Sequence, residues 1–148
     1  MKLASILGAL LSAVVAVALF APVSRASERD QLTRLTFSKA FRIPGHKDLP
    51  AGTYWFKVLD GNFTPNVIQI FNANRTQLDA TLSTRPAYRA SVTGRTQLAV
   101  ANGNAKHPEA LMEWFYPGKY YGHALEYSPR AMRQLREAGV REVVATRG

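Results

Sequence analysis

Cysteine is absent from the 148 residues. That excludes a catalytic thiol, a thiolate metal site and any disulfide staple, so apolar burial alone must hold the fold. Acid is scarce, with 10 Asp and Glu against 19 Lys and Arg, and the formal charge is +9. A glycosidase-type mechanism needs two carboxylates facing across a cleft. Asp48 and Asp60 lie in turn-like sequence, where Asp normally hydrogen-bonds its own backbone. Asp79 falls on the polar face of an alternating strand. The three histidines, His46, His107 and His123, are far apart, and none sits near a second ligand at metal-binding spacing. No G-x-S-x-G elbow, H-E-x-x-H helix or P-loop occurs. The reading therefore assigns no catalytic residue, no metal and no cofactor. Nor is there a block of consecutive basic residues, which argues against a nucleic-acid partner.

Long apolar runs are missing except for one. Leu3 to Phe20 carries no charge, follows Met1-Lys2 and is followed by the small residues Ser24 and Ala26. This pattern predicts a signal peptide over 1–26, cut after Ala26, and export to the periplasm or the cell exterior. The rival is an uncleaved anchor, because about eighteen apolar residues just span a bilayer. No membrane span is expected beyond that segment. Cleavage leaves 122 of the 148 residues, enough for one core, and removing Lys2 and Arg25 from a charge of +9 leaves +7. Such a charge keeps a protein in solution and also attracts it to anionic envelope components.

Residues 27–33 read as a flexible lead-in, and 34–127 as a β-domain. Period two places Leu35, Phe37, Phe41 and Ile43 on one face of a strand. Pro44-Gly45 ends it, and HKDLPAG reads as a turn-rich link. Tyr54, Phe56 and Val58 alternate with Trp55, Lys57 and Leu59 in the next strand. VIQIFN, apolar on both faces, reads as a central strand, and Asn72 to Arg75 as a hairpin connection. Leu78, Ala80 and Leu82 are predicted to face inward, Pro86 to break or bulge the chain, and Tyr88, Ala90 and Val92 to form a short strand of their own. TQLAVA is a further strand. Over 128–148, Ser128-Pro129 predicts a helix N-terminus and Gly139 its end, with Ala131, Met132, Leu135 and Ala138 on one stripe. Val140, Val143 and Val144 suggest an apolar tail docking on the domain. Short strands at regular spacing without strand–helix alternation give an all-β class, an antiparallel β-sandwich or open barrel with a short C-terminal α-helix.

Residues 112–127, MEWFYPGKYYGHALEY, hold six aromatics. Tyr116-Pro117-Gly118-Lys119 has the chemistry of a type II turn, with Gly118 at the position of positive φ. Around it, Met112, Trp114 and Tyr116 share one face of the first strand, and Tyr121, His123, Leu125 and Tyr127 one face of the second. His123 and Glu126 then point to opposite faces. Gly122 in a strand implies something packed close against it, such as an aromatic ring. Two roles compete for this hairpin. As core, each ring buries about 150–250 Å², with His123 bonded to a tyrosine hydroxyl or a carbonyl. As a binding face, exposed Trp and Tyr stack on sugars or anchor a partner, and the residues in question are Trp114, Tyr116, Lys119, Tyr120, Tyr121 and His123.

The segments IPG, LPAGTYWFKV, NVIQIFN and EALMEWFYPGKYYGHALEY, in that order, resemble an uncharacterised group of small exported bacterial proteins with recurring PAGTY, VQIFN and WFYPG…YGH segments. The resemblance spans roughly residues 35 to 145. It implies a shared β-rich domain and export, and no particular activity. The expected function is thus a non-catalytic exported domain that binds a ligand or partner, anionic on charge grounds, at the cell envelope. The alternatives are a hydrolase using His123 with Glu113 or Glu126, and a purely structural envelope protein. Oligomeric state is not legible in the sequence.

Overall fold

The computed structural model describes residues 32–59 and 66–144. The expected signal peptide, most of the lead-in, the Asp60-Gly61-Asn62 turn and the last four residues lie outside the described residues. The chain forms β1 (Leu32–Phe37), β2 (Phe41–Ile43), β3 (Lys47–Leu49), β4 (Gly52–Val58), β5 (Val67–Asn72), β6 (Leu78–Tyr88), β7 (Gln97–Ala101), β8 (Glu109–Phe115), β9 (Tyr121–Leu125), α1 (Pro129–Ala138) and β10 (Val140–Val144). The all-β class with a C-terminal helix is what the strand spacing predicts.

The strands run in the order β1-β4-β5-β6-β9-β8-β2-β3, with β7 on β8 and β10 on β7. The sheet curls around one core but does not close. One strand links its two halves: β6 pairs β5 through Ser83, then pairs β9 from Thr84 onward. Buried Leu35, Ile43, Phe56, Ile68, Ile70, Leu111, Trp114 and Leu125 form the centre. Most come from the inward parity of their strand; Leu111 and Trp114, three apart on β8, share the core because the β7–β8 ladder slips between Ala99 and Val100, leaving Met112 as the extra residue. At about 25 cal/mol per Å² of apolar surface, such residues carry the stability that no disulfide supplies.

Five local expectations are corrected. The strand over 34–43 is two strands: it starts at Leu32 and is divided by a bend at Ser38 to Ala40. Period two survives the bend, and Phe37 stacks on Phe41 across it at 3.7 Å between ring centroids. The alternation therefore conceals the break. Second, β2 runs parallel to β8, so the sheet is mixed rather than purely antiparallel. Third, β3 arises inside the expected HKDLPAG link. Its Asp48 takes two bonds from Arg42 across the β2–β3 hairpin, at 2.7 and 3.0 Å, rather than bonding local backbone. Fourth, Pro86 neither breaks nor bulges β6, and Ala90 and Val92 lie in a loop. Arg89 N–H donates to Tyr120 O, and Thr84 N–H donates to Asn66 O. Alternation thus turns the Pro86 nitrogen away from β9, to the side where β5 has ended, and no ladder bond is lost. Fifth, Leu78 is exposed rather than inward: the ladder slips at Ile70/Phe71, beside the hairpin, while Leu82 keeps its place in the core.

The helix begins as predicted, with Ser128 Oγ accepting from Ala131 N–H at 3.3 Å and Pro129 at the first position, and it ends at Gly139 with φ 92°. Ala131, Met132 and Leu135 pack against the core, whereas Ala138 is exposed. The valine tail docks as an extra strand. Val143 pairs with Leu98 and packs inward, while Val140 and Val144 remain exposed.

Candidate functional site

The 112–127 segment is a hairpin of β8 and β9 around a turn at Pro117-Gly118. Gly118 has φ 72°, the conformation its type II turn demands. Register sets the rest. Trp114 pairs with His123, His123 with Pro86, and Tyr121 with Tyr88. All lie on one face of the sheet, in a row that runs from the centre of the domain to one end. Their ring contacts form a continuous chain. Phe56 meets Trp114 edge-on at 5.5 Å, Trp114 meets Tyr116 at 4.7 Å, and Tyr116 meets Tyr121 at 6.3 Å. Tyr121 then meets Tyr120 at 5.8 Å, and Tyr120 lies near-parallel to Tyr88 at 6.0 Å and 25°.

Exposure rises along this chain. Trp114 is 0% exposed, while Tyr121, Tyr120 and Tyr88 are 36%, 57% and 70% exposed. The two roles weighed for the hairpin are therefore divided along it. Trp114, Tyr116 and His123 are buried and belong to the core, where burial holds the Tyr116 phenol far above its usual pKa. Tyr120 and Tyr121 face solvent, and Lys119, half-exposed, sits in the turn between the two groups.

Two residues of this end carry no site signal in the sequence pattern. Tyr88 reads as part of a separate short strand if Pro86 is a stop. Equal parity of Leu82, Thr84, Pro86 and Tyr88 is the signal that places it beside Tyr121. Arg89 is the brace. Its guanidinium donates to Lys119 O at 2.8 Å, Tyr116 O at 2.7 Å and Gln97 Oε1 at 2.6 Å, and lies 5.5 Å from the centre of the Phe115 ring. It reaches the turn from the outer face and fixes the backbone that carries Tyr120. Gly122 lies beneath Phe115, as a ring packed close to a strand glycine predicts.

His123 Nδ1 meets Thr84 Oγ1 at 2.9 Å, so its partner is a threonine rather than a tyrosine or a carbonyl. Thr84 supplies it because it shares the inward face of β6. Glu113 and Glu126 lie on the opposite face. Glu126 accepts from Arg85 at 2.8 Å. Glu113 faces Glu142 across β7, and burial, with the charge of Glu142 second, raises its pKa above 4.5. The sheet separates His123 from both carboxylates, so these three groups form no acid–base pair. Among the described residues, no three His, Asp or Glu side chains are gathered as metal ligands.

Burial holds the His123 pKa below its ordinary 6.5. The unfolded chain then takes up a proton that the folded chain refuses. Stability from this residue is complete above about pH 6.5 and falls as pH drops through and below that value. The urea midpoint is expected to decrease between pH 7.5 and pH 5, and His123→Asn is expected to flatten that decrease. An equal slope in the variant would assign the effect elsewhere. Glu113 acts with the opposite sign: its raised pKa removes stability as pH climbs past about 4.5.

Comparison of the chain with protein-family models, with curated proteins and with solved structures found no match.

Proposed function

We infer that this chain is a non-catalytic, exported β-domain, periplasmic or extracellular, that binds an envelope polysaccharide on its tyrosine-lined end. One observation carries the reading: Tyr88, Tyr120 and Tyr121 stay exposed and in mutual contact at the end of a ring chain whose inner members are buried. Tyrosine offers an apolar ring with a polar tip, which suits stacking under a sugar ring whose edge carries hydroxyls. The rings cost little entropy to engage, because Arg89 already holds their turn. The excess of basic residues favours an anionic polysaccharide over a neutral one.

Co-sedimentation with purified peptidoglycan and gel retardation in alginate test the reading. The wild-type chain is expected to bind at least one of them, more weakly at high salt. The Tyr88→Ser/Tyr120→Ser double variant is expected to lose affinity tenfold or more, because exposed tyrosine anchors of this kind carry on the order of 1–2 kcal/mol each. Both side chains are exposed, so an unchanged circular dichroism spectrum is expected. Full binding by the double variant would sink the assignment. For the export half of the inference, N-terminal sequencing of the secreted protein is expected to begin at Ser27.

A further inference from the structure

The open sheet leaves β1 and β10 among its edge strands. Among the described residues β1 pairs only with β4 and β10 only with β7, so each presents a free edge, as does β3 beyond β2. A groove of about 240 Å³ lies between the end of β1 and β10. Phe37, Val143 and the exposed Val144 are the apolar side chains open to it, backed by the buried Leu98, Val100 and Leu111, and Thr36 and Ser38 add a polar stretch. Its rim is charged. Arg141 is ion-paired with Glu109, which leaves the exposed Lys39 as the uncompensated cation, with no hydrogen bond or ion pair among the described residues.

We propose that this groove binds a single-chain anionic amphiphile, a free fatty carboxylate, with its methylenes along Phe37, Leu98 and Val143 and its head at Lys39. Three features select that class. The stretch of wall from Phe37 to Val143 is apolar, which suits a hydrocarbon chain. The volume lies below the roughly 300–1,000 Å³ of drug-sized sites, so it holds part of one chain and not the two of a phospholipid. The net rim charge of one cation complements one carboxylate. None of these residues belongs to the tyrosine end, so the proposal stands apart from polysaccharide binding.

Equilibrium dialysis of hexanoate, octanoate and decanoate, each below its micellar concentration, tests it on the full chain. Binding is expected to saturate and to tighten about fourfold per added methylene, equivalent to ~0.8 kcal/mol. Lys39→Gln is expected to weaken decanoate about threefold, the range of an exposed charge pair, and to leave decanol unchanged. Ala40→Trp, an exposed position at the mouth, is expected to abolish both. Tyr88→Ser is expected to change neither. The proposal is overturned by absence of saturable binding, by affinity that does not grow with chain length, or by indifference to both groove variants. It is equally overturned if the chain binds phosphatidylglycerol vesicles through Lys39 but not monomeric decanoate.

Discussion

Trp114→Ala is expected to lower the free energy of unfolding by about 3–5 kcal/mol, the usual cost of truncating a large buried aromatic. The side chain has no solvent exposure and sits among Phe56, Tyr116 and His123, with ring centroids at 5.5, 4.7 and 5.9 Å. These neighbours belong to β4, to the hairpin turn and to β9, so no single element can shift to fill the void. A domain of this kind has on the order of 5–15 kcal/mol in total, and no disulfide limits the loss. Urea denaturation with linear extrapolation measures it. Tyr120→Ala, at the exposed end of the same ring chain, is the control and is expected to change stability by less than about 0.5 kcal/mol. A loss below about 1 kcal/mol for Trp114→Ala would mean that the centre of the domain lies elsewhere.

Gly122→Ala is expected to cost about 3 kcal/mol or more, although it adds one methyl group. Overpacking typically costs about 1–3 kcal/mol when side chains can yield. Here the added Cβ would overlap the Trp114 carbonyl oxygen and approach Phe115 Cα at 3.0 Å and Phe115 Cδ1 at 2.7 Å. Two of those three atoms are backbone and cannot rotate away. The double variant Gly122→Ala/Phe115→Leu separates the causes. It relieves the ring contact but not the carbonyl, so most of the loss is expected to persist. Full rescue by Phe115→Leu would show that the ring alone requires the glycine.

Much of the fold was legible because its elements are written in strict alternation. Tyr54, Phe56 and Val58 keep their parity, and so do Trp114 and His123. The caps of α1, the type II turn at Gly118 and the ring over Gly122 were readable for a different reason: each rests on the chemistry of one or two residues. Pairing between distant segments left no such mark. Nothing in Phe41 or Glu109 announces that β2 lies parallel to β8. Pro86 misled because its tolerance depends on where β5 ends, a fact of pairing and not of local sequence. The candidate site was half legible. Its inner rings could be placed by parity, but exposure of Tyr120 and Tyr121 depends on how far the opposite half of the sheet reaches. The role of Arg89 depends on a loop folding back to meet a turn about 30 residues on.

The docking of β10 on β7 also sets an order of events as the chain emerges and folds. Strand β7 reads QLAVA, with four of its five residues buried in the finished domain. Until residues 140–144 arrive, its outer backbone edge is an open template for another chain. The strand that finally covers it carries Arg141 and Glu142, which leaves a charged edge where an apolar one stood. A chain interrupted after α1 would keep nearly the whole core and yet expose its most adhesive strand. The last strand therefore guards the domain against its own copies.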